Sequence, residues 1–256
     1  MMYSLNNNTS IQSLSQSLNS SFAGMYKSLQ KLSSGMKINS ASDGPAQLLI
    51  SEQLRTQIAS LNQQIENRYA QMSTYNTASS NLNILRSQLT DIRTTALGAA
   101  NESGNSDATQ KAYSDSADLM VSNFNLVLNK AEFNGQVLFD GSEGSVASIA
   151  DLSGLSFTTA DEANASIDIL DAKISEIDSV IVDIGSYQKN EIESDIAQLR
   201  ISRENLLSAE QNIRSTDFAT EYTNFVVEQM KAKVGLALMS HYAMTSKSVL
   251  SIFNQR

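Results

Sequence analysis

The chain contains one histidine, His241, which is the first residue to consider for catalysis. It stands in a strongly apolar stretch that has a helical pattern. A catalytic histidine needs a nucleophile or metal beside it, and the sequence has neither a cysteine nor a His-Glu-x-x-His motif. We therefore interpret His241 as a packed, hydrogen-bonded interface residue. The prediction is a protein that is not an enzyme and has no catalytic, cofactor-binding or metal site.

A group of acidic residues is the second candidate site, because neighbouring carboxylates bind cations. The group is Asp168, Asp171, Glu176, Asp178 and Asp183. Their spacing places them on the helix face opposite a stripe of isoleucines, which is typical of a solvated face rather than a metal site. The sequence also has no glycine-rich loop that would hold a phosphate.

The composition excludes several partners. The 256 residues include 27 acidic and 18 basic side chains, which gives a net charge of −9. Nucleic acids and anionic membranes are bound by clustered lysine and arginine, so neither is expected as a partner. No segment is apolar enough over its length to span a bilayer.

The same composition bears on secretion. The absence of cysteine excludes disulfides. The first basic residue is Lys27, so the usual cationic start of a cleaved secretion signal is missing. If the protein leaves the cell, we expect a route that does not depend on such a signal.

Both ends of the chain carry helical patterns that are too apolar for a lone soluble chain. The N-terminal residues alternate steps of three and four, and the C-terminal stretch combines a run in steps of four with apolar residues on other faces. A helix that is apolar on several faces is buried on several faces. We therefore predict an assembly interface formed by Ile11, Leu14, Leu18, Phe22, Met25, Leu29, Leu32, Phe225, Val226, Met230, Val234, Leu238, Tyr242, Val249, Leu250 and Phe253.

Between these ends, the pattern predicts two long helical segments. A helix over residues 4–32 is followed by a turn-rich linker, and Pro45 stands where proline begins a helix. The next run keeps a seven-residue period to about Ala100, which is a helix of roughly 55 residues and about 80 Å. A sustained heptad period indicates coiled-coil packing against a partner helix.

The second half of the chain mirrors the first. A helix reaches about Lys130, Asn134-Gly135 predicts a β-hairpin turn, and residues 141–160 read as strands or loop. Asp161 opens another long helix whose register stutters near Gly185 and Tyr187, and a final helix covers 215–253. The predicted fold is mainly α, a long antiparallel helical rod with a small β-hairpin region. We divide it into a terminal domain (1–43 with 215–256) and a rod domain (44–214, with the β/loop region at 132–160).

Three segments resemble the bacterial flagellin family closely. They are Lys31-Leu32-Ser33-Ser34-Gly35-Met36-Lys37-Ile38-Asn39-Ser40-Ala41-Ser42-Asp43, then Glu132-Phe133-Asn134-Gly135, and Leu206-Leu207-Ser208-Ala209-Glu210-Gln211-Asn212-Ile213-Arg214-Ser215-Thr216-Asp217-Phe218-Ala219-Thr220-Glu221. They occur in the family's order and at both ends. The resemblance covers nearly the whole chain apart from the middle, which is too short for projecting domains.

The resemblance implies a secreted subunit of the extracellular flagellar filament. Its terminal helices would pair in the filament core and become ordered on polymerisation into a homopolymer that serves swimming. It also implies an export chaperone on the C-terminal helix, and flagellar cap and junction proteins as partners. The alternatives are a hook–filament junction protein and a secreted coiled-coil effector.

The serine and threonine hydroxyls of segment 141–160 are candidate sites of O-glycosylation. The candidate residues are Ser142, Ser145, Ser148, Thr158 and Thr159.

Overall fold

The computed structural model describes the backbone of residues 6–101 and 106–253, and the side chains of residues 9–101 and 106–245. The helices and strands are α1 (Asn6–Ser34), α2 (Pro45–Ala99), α3 (Asp107–Asn129), β1 (Glu132–Phe133), β2 (Gln136–Val137), α4 (Ala160–Tyr187), α5 (Glu193–Arg214) and α6 (Phe218–Phe253). A short 3₁₀ turn, Ala41–Asp43, precedes α2, and a π-helical turn, Gln188–Ile192, joins α4 to α5. The predicted mainly helical fold with one small hairpin is confirmed.

The chain forms two compact units. The terminal unit contains Met1–Ser60 and Arg203–Arg256, and the central unit contains Leu61–Ser202. The boundaries between the units fall within α2 and α5. The sequence-based division places its boundaries at the linkers instead, and that division stays a prediction.

The core of the central unit joins α2, α3 and α4. Along α2 the fully buried residues keep the predicted steps of three and four, and they meet aromatic and aliphatic side chains of the other elements. The largest of these buried side chains are Leu82, Leu85, Leu89, Ile92, Phe124, Leu138, Phe139, Phe157, Leu170 and Ile177. Such an interior is stabilised mainly by removing apolar surface from water.

The hairpin forms at the predicted Asn-Gly pair. Asn134 and Gly135 both have positive φ, 54° and 78°, and Phe133 pairs with Gln136 across a two-residue turn. This is the backbone that a type I′ hairpin requires.

Residues 141–158 form a loop, apart from an isolated bridge between Asp140 and Ser148. Of the two alternatives left by the sequence, loop is therefore correct. Asn125 holds this segment, because its side-chain amide donates to the Leu152 carbonyl (3.0 Å) and its side-chain oxygen accepts from the Leu152 N–H (2.8 Å). Leu152 and Phe157 are thereby buried in the core.

The structure refines both ends of the predicted helix that follows the loop. Helix α4 begins at Ala160, one residue before the predicted Asp161, because the Thr159 hydroxyl caps the helix by accepting from the Glu162 N–H (3.3 Å). The predicted stutter near Gly185 and Tyr187 becomes the π-helical turn directly after Tyr187. A π turn absorbs an extra residue, so that Ile192 and Ile196 return to the buried face.

Candidate assembly site on the terminal helices

Helices α1 and α6 lie side by side in the terminal unit and run antiparallel. Lys31 meets Glu221, Gly24 lies against Glu228, and Leu18 lies against Gly235. Residue numbers rise along one helix as they fall along the other.

The face of α6 that packs within the chain follows a heptad. Its buried or half-buried positions recur in steps of four and three at Glu221, Phe225, Glu228, Ala232, Gly235, Met239 and Tyr242. On α1 the buried residues are Leu18, Ser21 and Ser28. The heptad period of α1 supplies the missing signal for Ser21 and Ser28, because they fall between Leu14, Leu18, Met25 and Leu32 in steps of three and four.

Each helix of the pair has a glycine at the contact, Gly24 on α1 and Gly235 on α6, and both allow close approach. A Cβ at Gly24 would lie 3.1 Å from Cγ of Glu228, and a Cβ at Gly235 would lie 3.3 Å from Cδ1 of Leu18. The pair is thus close but contains little apolar volume, and sequence reasoning missed these positions because it searched for large apolar residues.

A carboxylate is buried in the same interface. Glu221 is 8% exposed and accepts a hydrogen bond from Nζ of Lys31 at 3.4 Å. Burial raises its pKa, but hydrogen bonds from Ser28, Lys31 and Asn224 and the Lys31 charge outweigh burial and leave that pKa below its usual value. The carboxylate is therefore held charged inside the helix pair.

Several apolar residues of α6 remain largely exposed beside the helix pair. Tyr222, Met230, Val234 and Leu238, which we call the outer stripe, are 61%, 60%, 58% and 47% exposed. The predicted interface residue Val226 is half-buried. A step of four residues advances about 40° beyond a full turn of a 3.6-residue helix, so the run winds around α6 and reaches the inner face only at Tyr242. These residues are thus only partly covered within the described chain.

The predicted interface residues of α1 divide in the same way. Leu18 is buried, Leu29 is exposed, and the others, Ile11, Leu14, Phe22, Met25 and Leu32, are half-buried. Of the remaining predicted residues of α6, Phe225 and Tyr242 are half-buried on the inner face. Val249, Leu250 and Phe253 have side chains outside the described residues, so their predicted role is neither supported nor opposed by the structure.

A shallow apolar groove runs along the α1–α6 pair. It encloses about 430 Å³ and its walls include Leu14 and Leu18 of α1 with Met230, Val234 and Leu238 of α6. The groove therefore joins the inner face to the outer stripe, and its shape and chemistry fit an apolar helix side chain rather than a polar small molecule.

The acidic residues of α4 lie at the surface of the described chain, and three of them are ion-paired. Asp171 accepts two hydrogen bonds from Arg93 (2.5 and 3.1 Å), and Asp178 is paired in the same way with Arg86. Glu176 accepts from Lys173. Hydrogen bonding to Arg93 lowers the pKa of Asp171. The sequence pattern alone could not show these partners, since Arg86 and Arg93 are far away in the chain.

The other residues considered for catalysis or metal binding, Asp168, Asp183 and His241, are exposed to solvent. The backbone carbonyl of His241 accepts a hydrogen bond from the Thr245 hydroxyl (2.9 Å). Within the described ranges, no three side chains are grouped as metal ligands. Among the described residues, no helix combines the length and hydropathy needed to cross a membrane.

The predicted glycosylation residues lie in or beside the 141–158 loop. Ser142 and Ser148 are exposed, and Ser145 is half-buried. The Ser142 hydroxyl donates to Asp140 (2.7 Å), and the Thr158 hydroxyl donates to Glu162. Because Thr159 caps α4, a glycan on its hydroxyl would compete with the cap.

Comparison with known proteins places this arrangement in a family. The model of the "Bacterial flagellin N-terminal helical region" matches residues 5–144, and that of the "Bacterial flagellin C-terminal helical region" matches residues 167–253. The "Flagellar filament 33 kDa core protein" of Treponema phagedenis is 27% identical over 285 residues, which cover 97% of this chain and 99% of that protein.

A second curated relative and a solved structure are also flagellins. The flagellin of Bacillus subtilis (strain 168) is 26% identical over 300 residues, with 97% of this chain and 99% of that protein covered. The crystal structure of Bacillus cereus flagellin covers 52% of this chain and 88% of that one at 19% identity and a TM-score of 0.44. With the N- and C-terminal helical regions matched in order over most of its length, the chain belongs to the bacterial flagellin family.

Proposed function

We propose that this flagellin is a structural subunit of the flagellar filament and polymerises through α1 and α6 for swimming motility. The observation that carries the proposal is the division of α6 into two faces. Its inner face is covered by α1, whereas the residues of the outer stripe remain 47% to 61% exposed in the described chain. A second copy of the chain supplies that cover.

The energetics favour a polymer. Covering one exposed aliphatic or aromatic side chain contributes about 1.5–3 kcal/mol, and the gain recurs with each added subunit. Part of it offsets the entropy lost when the terminal helices become ordered, so we expect these helices to be largely disordered in the free subunit and ordered in the filament.

The proposed domains are divided at the linkers. Residues 1–43 with 215–256 form the assembly domain, and residues 44–214 form the rod, with the β/loop region at 132–160. The flagellin family models favour a filament subunit over a hook–filament junction protein or a secreted effector. The family is one of structural proteins, and we propose no enzymatic activity for this member.

Partners and surroundings follow from the family. We propose that the subunit is secreted and works outside the cell, with an export chaperone bound to α6 beforehand and cap and junction proteins at the filament ends. O-glycosylation at Ser142, Ser145, Ser148, Thr158 or Thr159 is part of the proposal. An intact mass of native filaments equal to that of the bare chain would reject it.

Substitutions on the outer stripe test the function. Val234→Asn and Leu238→Gln replace exposed apolar residues by polar residues of similar helix propensity, so the free subunit keeps its fold. We expect the double variant to be exported but to form no filaments on flagellar seeds. Lys233→Gln, an exposed change on the same helix, is the control and should polymerise normally. Normal filaments from the double variant would refute the proposal.

A further inference from the structure

Two tyrosine side chains of the central unit meet where α2 passes the end of α4. Tyr75 lies within α2, and Tyr187 is the last residue of α4. Their ring centroids are 5.0 Å apart and the ring planes are inclined by 41°, which is a favourable arrangement for an aromatic pair. Both side chains are half-buried, and Tyr75 packs against the core of the unit. The two rings are therefore in contact within a packed part of the chain.

Polar contacts on either side hold Tyr187 against α2. Its hydroxyl accepts a hydrogen bond from the side-chain amide of Gln71 (3.3 Å), which lies one turn before Tyr75. The side-chain amide of the next residue, Gln188, donates to Oδ1 of Asn76 (3.0 Å). These two bonds flank the aromatic contact and restrict the motion of one ring relative to the other.

The electrostatic surroundings of Tyr75 favour one-electron chemistry. Burial raises the pKa of Tyr75, and the neighbouring Tyr187 and Glu191 raise it further, so its phenol stays protonated at neutral pH. A phenol that loses an electron also loses its proton, and the adjacent Tyr187 oxygen can accept it. The negative charge of Glu191 makes removal of the electron easier. A neutral radical formed on Tyr75 would thus lie directly beside a second phenol ring.

We propose that Tyr75 and Tyr187 form an oxidative crosslinking site, at which a dityrosine bond covalently joins α2 to the end of α4. The reagent is a small one-electron oxidant with a peroxide as the final electron acceptor. Each tyrosine loses one electron and its phenolic proton, and the two radicals join through the ring carbons beside the hydroxyl groups. The hydrogens on those carbons then return to the oxygens. Overall, one C–C bond forms, the rings lose two electrons and two protons, and the O–O bond of the peroxide breaks as it takes up the electrons.

Tyr69 provides a matched control on the same helix. Its ring lies beside the guanidinium of Arg200, whose Cζ is 5.7 Å from the ring centroid, and its hydroxyl accepts a hydrogen bond from the same group. Tyr69 is half-buried like Tyr75, so the oxidant reaches both. The two residues differ in their neighbour, which is a cation for one and a phenol for the other.

The test oxidises the full-length subunit at low concentration with a photo-excited ruthenium–bipyridine complex and peroxydisulfate. Trypsin cleaves after lysine and arginine, so it places Tyr75 on the peptide 69–86 and Tyr187 on the peptide 174–189. From the monomeric product we expect these two peptides joined, with a mass lower by two hydrogen atoms than their sum. Fragmentation should locate the bond at Tyr75 and Tyr187, and the product should show dityrosine fluorescence.

Three comparisons separate a preformed site from general tyrosine oxidation. Tyr75→Phe and Tyr187→Phe keep the packing of the rings, and each should lose the joined peptides. Tyr69→Phe should keep them. The parent chain oxidised in urea should lose them, because unfolding separates the two helices although it makes every tyrosine more accessible.

The bond should also stabilise the central unit, because it closes a long loop of the unfolded chain. We expect the linked monomers to unfold at a higher urea concentration than Tyr75→Phe monomers treated with the same oxidant. The inference would be overturned by tyrosine oxidation without the joined peptides, by their survival in Tyr75→Phe, or by equal yields from folded and unfolded chains. An unchanged urea midpoint would equally contradict a covalent joining of the two helices. All of these readouts are independent of polymerisation.

Discussion

Lys31 and Glu221 form an ion pair across α1 and α6, with 3.4 Å between Nζ and Oε2 and both side chains largely buried. A charge pair in such a place contributes less by its attraction than by the cost of leaving either partner alone. Elsewhere along the same helix pair, Gly24 and Gly235 allow close approach. The terminal pair thus combines close approach inside with exposed apolar residues on the outer stripe.

Removing one member of that pair should therefore cost more than removing both. Lys31→Met leaves the Glu221 carboxylate buried without its cation in the filament, where α1 and α6 are ordered, and we expect each subunit to lose about 1–3 kcal/mol of stability there. Lys31→Met combined with Glu221→Met should lose less than the single change, as measured by the urea concentration that dissociates the filaments. A double variant less stable than Lys31→Met would contradict this.

The linker before α2 should weaken in acid through Asp43. Its carboxylate accepts from Lys27 (3.1 Å), from the Ser40 hydroxyl (3.0 Å) and from the N–H groups of Asn39 and Ser40. These contacts, that of Lys27 first, lower the pKa of Asp43 from 3.8 to about 2. Because the pKa of Asp43 is lower in the folded state than in the unfolded state, its contacts stabilise the fold at pH values above about 4. That stabilisation disappears as the pH falls from about 4 to about 2.

The comparison with Asp43→Asn isolates this effect from other carboxylates. At neutral pH, filaments of the parent chain should dissociate at a higher temperature than filaments of Asp43→Asn, and the difference should shrink steadily between about pH 4 and pH 2. A difference that stays constant over this range would show that the Asp43 contacts do not stabilise the linker.

Two helical glycines of the central unit should respond oppositely to alanine. A Cβ at Gly98 would lie 2.8 Å from Cε1 of Tyr113, whose ring packs against the core, so Gly98→Ala should destabilise by about 1–3 kcal/mol. A Cβ at Gly185 would meet nothing within 4 Å, so Gly185→Ala should stabilise by up to about 1 kcal/mol through helix propensity. Thermal unfolding checks both signs, and a stabilising Gly98→Ala would show that Tyr113 moves freely.

The end of α6 should matter for assembly and not for the central fold. Deleting residues 249–256 removes Val249, Leu250 and Phe253, each worth about 1.5–3 kcal/mol if it is buried between subunits. We expect the truncated chain to keep most of its helical circular dichroism and to form no filaments. Normal filaments would exclude a role for these residues, and a globally unfolded monomer would show that they belong to the subunit's own fold.

The sequence predicted most of the fold because its signals are local and periodic. The heptads of α2, the Asn134-Gly135 turn and the stutter after Tyr187 each follow from residues near one another in the chain. The inner face of α6 was missed because Ala232 and Gly235 pack by being small, which an apolar pattern does not reveal. The contact of Tyr187 with Tyr75 was also missed, since the two residues lie in different helices far apart in the chain.

The central claim is that α1 and α6 form the polymerisation interface, and electron cryomicroscopy of filaments grown from this chain tests it most directly. We predict a helical polymer with both helices at its axis and with Tyr222, Met230, Val234 and Leu238 covered by neighbouring copies. A closed ring, or a filament in which these residues remain exposed at the outer surface, would contradict the claim.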